Sequence, residues 1–136
     1  MLKKISAKVN AINWFEIPVT NIERAQKFYE TILSIKMITP KTEAGKDEMV
    51  LFPRLPDTIM ALSGILSGCL VKSKKSKPSK DGILIYLNAS PSIQKVIDKI
   101  ESAGGKIILP KTKIPAGLIA IFIDTEGNRI GLSAGA

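Results

Sequence analysis

Apolar and polar positions along the chain fall into two similar series. The first is INWFEIPVTNIERAQKFYETILSIKMI (12–38) and the second is ILIYLNASPSIQKVIDKIESAGGKIIL (83–109). Each opens on a strand-like apolar run and crosses a short polar stretch. In the first copy Ile22, Ala25, Phe28, Tyr29, Ile32 and Leu33 then recur at helical spacing. In the second, Ile93, Val96, Ile97, Ile100 and Ala103 do the same. Thr20 and Glu23 form an S/T-x-x-E pair, which predicts a capping box at the first helix. Ser90 followed by Pro91 predicts the N-cap and first turn of the second, and Gly104-Gly105 its left-handed stop.

Short strands are predicted after each helix. The first copy offers Ile35–Ile38, Met49–Phe52 and Ile59–Leu62; the second offers Ile107–Leu109, Leu118–Ile123 and Ile130–Leu132, with a turn at 124–128. The unit is therefore β-α-β-β-β, present twice. Module one covers about 1–70, a connector 71–81 and module two 82–136. Neither module is long enough to bury a core alone, so the 136 residues are predicted to pack as one domain.

Charge singles out the connector. Of the net charge of +8, residues 71–81 (VKSKKSKPSKD) supply +4, and the flanking stretches +2 each. A Lys/Ser/Pro-rich segment cannot bury itself and reads as an exposed linker. Clustered lysines at Lys72–Lys80 also suit an anionic surface or nucleic acid. No aromatic residue is interleaved with them, however, so a base-stacking platform, and nucleic acid as a partner, are not expected.

Composition removes much chemistry. The chain has no histidine, which excludes imidazole metal sites, Ser-His-Asp and Cys-His nucleophile systems and imidazole general bases. Its single cysteine, Cys69, cannot form an internal disulfide, and a reducing, cytoplasmic location is expected. Cys69 has no histidine to activate it and reads as a spectator thiol at the start of the connector. The longest apolar run, Leu118–Ile123, is far short of the ~20 residues that span a bilayer. The N-terminus lacks the apolar stretch of a secretory signal, and no glycine pattern matches a nucleotide-binding loop.

The doubled βαβββ unit resembles the vicinal oxygen chelate superfamily, which includes glyoxalase I, bleomycin-resistance proteins and extradiol dioxygenases. The matching pieces are WFEIPVTNIERAQKFYETIL (14–33), with its Phe28-Tyr29 pair, and IAIFIDTEGNRIGL (119–132), with its D-x-x-G-N turn. The resemblance implies an α+β fold in which two modules form paired, curved mixed sheets, and a homodimer. It also implies a divalent metal held by His or Glu side chains from the first and last strands of each module. Counting from the family's landmarks places those positions at Trp14, Ile85, Gly131 and near Met60. None of these residues coordinates such a cation, so no metal and no other cofactor is predicted.

Strand alternation from Trp14 puts Glu16 on the concave face, and by the same rule Ile85 and Leu87. Arg129 and Ser133 share the face of Gly131, and Ile119 and Ile121 are predicted to point inward beside them. The result is an apolar, aromatic cleft with Glu16 and Arg129 as its charged groups, the make-up of a small-molecule site. Desolvation there would suit Glu16 to proton transfer, while pairing with Arg129 would make it an anchor or a structural residue. A metal-free small-molecule binder is the reading these residues favour. A lyase or dioxygenase with ligands recruited from shifted positions, beginning with Glu16, and an anionic contact through Lys72–Lys80 are the alternatives.

Overall fold

The computed structural model describes residues 3–41, 47–55 and 66–135. Within them the chain runs β1 (Trp14–Pro18), α1 (Ile22–Leu33), β2 (Glu48–Leu51), β3 (Ser67–Lys72), β4 (Tyr86–Asn88), α2 (Ile93–Ile100), β5 (Lys106–Ile114), β6 (Gly117–Ile123) and β7 (Arg129–Ala134). These form a three-stranded sheet, β1-β3-β2, and a four-stranded sheet, β4-β7-β6-β5. In each, the first strand lies at one edge, parallel to the last strand of its module, and the remaining pairs are antiparallel. This is the predicted α+β repeat.

The first module differs from expectation along its strands. Ile35–Ile38 forms no strand; Ile38 alone bridges to Leu51, through backbone bonds of 2.9 and 2.7 Å. The strand beside β1 is Ser67–Lys72, and the expected Ile59–Leu62 run lies outside the described residues. Cys69 therefore sits in the centre of a sheet, fully buried, rather than at the start of a loop. The connector also begins later than its composition suggests, because Val71 and Lys72 are strand.

The helix starts shift as well. Asn21 caps α1, its side chain accepting the Arg24 N–H at 2.9 Å, because Thr20 is engaged elsewhere. Ser92 rather than Ser90 caps α2, accepting the Lys95 N–H at 3.3 Å. Gly104, at φ +108°, ends that helix, and the Gly105 N–H closes on the Ile100 carbonyl at 2.9 Å.

The helices line the inner faces of both sheets and meet one another. Ala25, Phe28, Tyr29 and Ile32 of α1 join Ile93, Val96 and Ile100 of α2 in one continuous core with strand residues such as Ile17, Leu70, Phe122 and Leu132. Rings carry the core across the module boundary: Phe28 lies 5.8 Å from Phe122, and Tyr29 lies 6.4 Å from it. No helix among the described residues is long and apolar enough to cross a membrane.

A buried polar cluster fixes how the modules meet. The β6–β7 turn puts Asp124 under Tyr29, whose hydroxyl donates to Oδ2 at 2.7 Å. Asn128 donates to the Pro18 carbonyl at 2.7 Å, at the end of β1. Glu126 reaches the start of α1. Its carboxylate accepts the Thr20 and Asn21 N–H groups, each at 2.9 Å, and the Arg24 Nε–H at 2.7 Å. Burial opposes its charge, but these donors and the Thr125 hydroxyl outweigh it and hold the carboxyl at about 2.

Candidate functional site

Between the edge strand β1, the connector with the segment leading into β4, and the start of β7 lies a cleft of about 440 Å³. Trp14 and Glu16 contribute from β1, Ile83 and Ile85 from the approach to β4, and Arg129 from β7. The structure thus brings together Trp14, Glu16, Ile85 and Arg129 of the predicted residues. Trp14 is 38% exposed at the mouth, and Ile83 is 92% exposed at the lip. Glu16 is exposed rather than enclosed in apolar surroundings, and the Cys69 thiol approaches its Oε2 at 3.9 Å. Burial, and then that carboxylate, push the Cys69 thiol up to about 11, so at neutral pH it stays protonated.

Other predicted residues lie elsewhere. Leu87 packs in the core at 8% exposure: Ile85 precedes the strand, so alternation counted from it does not carry onto β4. Tyr86 and Asn88 take the outer face instead, and Ser133 lines a separate depression with them. Ile119 and Ile121 do lie on the outer face of their sheet, opposite Ser133 and Gly131, but outside the cleft between the modules. Gly131 is paired with Tyr86, and the tyrosine ring covers it. A Cβ at Gly131 would stand 2.5 Å from Tyr86 Cδ1.

Sequence reasoning missed Lys77, Ser79 and Asp81, which also border the cleft. Composition marks them as linker. The structure instead pins the connector to β7: the Ser79 N–H donates to Asn128 Oδ1 at 3.0 Å and the Ser79 carbonyl accepts the Arg129 N–H at 3.4 Å. No signal in the sequence distinguishes these residues from their solvated neighbours.

The register also locates the first module's counterpart of Gly131. The Val19 N–H bonds to the Val71 carbonyl at 2.9 Å just as the Ala89 N–H bonds to the Ser133 carbonyl at 2.8 Å. Two residues back along each last strand stand Cys69 and Gly131. Cys69 is therefore the first module's counterpart of Gly131, facing Glu16 where Gly131 faces Tyr86; Met60 itself lies outside the described residues. Of the two counterparts, only the buried thiol carries a donor atom. Glu16 adds one carboxylate nearby, and no group of three or more His, Cys, Asp and Glu able to hold a metal occurs among the described residues.

Two modules, each opening on an edge strand that pairs parallel with the module's last strand and packing its helix on one face of its sheet, define a paired-module α+β fold. The chain belongs to the Glyoxalase/Bleomycin resistance protein/Dioxygenase superfamily, whose sequence profile matches residues 11–132. Solved structures agree in fold. A glyoxalase-related enzyme from Fulvimarina pelagi superposes with a TM-score of 0.66 at 10% identity, covering 93% of this chain and 89% of that one. TnmS3, an antibiotic binding protein from Streptomyces sp. CB03234, gives 0.61 at 18% identity, covering 96% and 100%. The fosfomycin resistance protein FosX from Listeria monocytogenes gives 0.59 at 14% identity, covering 100% and 94%. No curated protein matches the chain.

Proposed function

We propose that the protein binds a small organic molecule in the cleft between β1 and the second sheet, and does so without the divalent metal of its enzymatic relatives. The cleft volume of about 440 Å³ and its walls of Trp14, Ile83 and Ile85, with a few charged groups, suit such a ligand. The antibiotic-binding character of TnmS3 is a precedent for this use of the fold. The observation that carries the metal-free reading is Tyr86: its ring fills the space into which any side chain at Gly131 would project. A family-type ligand at that position has no room unless the ring leaves.

Native mass spectrometry of the purified chain, before and after Ni²⁺, Zn²⁺ or Mn²⁺ is added, tests the reading. The expected result is the chain mass with no stoichiometric metal, an unchanged melting temperature, and in the as-purified sample any retained organic adduct. One divalent ion per chain that raises the melting temperature and is lost in Glu16→Gln would overturn it in favour of ligands at shifted positions.

A further inference from the structure

Arg129 is a half-buried guanidinium that the protein leaves incompletely used. Its Nη2 donates to the Gly82 carbonyl at 3.2 Å, while its Nε is buried with no acceptor. Among the described residues Arg129 forms no ion pair: Glu16 and Asp81 border the same cleft, but neither carboxylate comes within 4.0 Å of it. Buried donors are nearly always satisfied, and an orphan beside a cleft points to an acceptor that arrives with something else. A guanidinium presents its Nε and one Nη as a fork that matches a carboxylate in two parallel hydrogen bonds. The apolar part of the cleft lining includes Trp14, Ile83 and Ile85. Ile83 is 92% exposed in the described structure. Lys77 adds a second positive charge at the same cleft.

We infer that the ligand of this cleft is an amphipathic organic acid whose carboxylate docks on Arg129 and whose apolar body lies against Trp14 and Ile85 under Ile83. The inference rests on the cleft being the binding site, as proposed above. Binding turns the Nε edge outward. That turn gives up the bond from Nη2 to the Gly82 carbonyl, the only hydrogen bond holding the guanidinium among the described residues.

Titration calorimetry with three matched probes tests the charge preference: cyclohexanecarboxylate, cyclohexanemethanol and cyclohexylmethylamine. The acid is expected to bind at least about tenfold more tightly than the alcohol or the amine, the scale of one charge-assisted pair. Arg129→Met should abolish that preference, chiefly by weakening the acid, and an unchanged circular dichroism spectrum shows that the variant is folded. Arg129→Lys keeps the charge but loses the fork, and should fall between. If the alcohol binds as tightly as the acid, or the amine binds best through Glu16 or Asp81, the cleft stands and the acid specificity is overturned. If none of the three binds, the cleft itself is not the site and both readings fall.

Discussion

Gly131 and Tyr86 form the pair on which most turns. A methyl group added at Gly131 meets the ring at 2.5 Å, so the ring must move or the strand must shift. Gly131→Ala is expected to lower stability by about 1–2 kcal/mol, and Tyr86→Ala in the same chain should recover most of that loss. Urea denaturation of the two single variants and the double variant reads this directly; additive losses would show that the ring does not govern the position. The same residues show what was legible beforehand. Gly131 could be placed on the outer face by counting from Asp124, but the ring that covers it could not, because cross-strand neighbours depend on register. Tyr29, Asp124 and Asn128 carry the family resemblance in the sequence, yet in the structure they hydrogen-bond to one another and to β1. They are fasteners, and motif reading alone cannot separate a fastener from a functional group.

Among the elements, the helices were the most readable and the first module's strands the least. Helical periodicity repeats over many residues, whereas β2 has only four residues and the Ile38 pairing is a single bridge. β3 was hidden because its SGCLVK sequence mixes small and polar residues with apolar ones and runs directly into the lysines. The α1 cap was displaced by one residue for a reason outside the helix: Glu126, more than a hundred positions away, claims the Thr20 hydroxyl at 3.0 Å. Asn21 is then the residue whose side chain closes the first turn. Asn21→Ala should cost about 1 kcal/mol, measurable as a lower thermal midpoint, and a neutral outcome would return the capping role to Thr20.

At the level of the whole molecule, the ties from Glu126 hold one module's turn against the other's helix. The carboxyl sits at about 2 in the folded protein against an ordinary 4.5. A depressed value means that its contribution is fully present above about pH 4.5 and is lost as pH falls from there toward 2. Glu126→Gln should remove about 2 kcal/mol at neutral pH, the scale of hydrogen bonds to a charged group, and flatten that part of the acid limb. An acid limb unchanged by the substitution would place the pH sensitivity elsewhere. The two-module plan was visible as a sequence repeat, but this fastening was not, since the D-x-x-G-N turn occurs only in the second copy. One further consequence follows from where the chain keeps its only tryptophan. Trp14 stands partly in water at the cleft mouth, while Tyr29 is sealed in the core. The indole emission therefore reports chiefly on what enters the cleft, and near-ultraviolet dichroism of the core rings reports on folding. A single unlabelled sample separates occupancy from unfolding by optics alone.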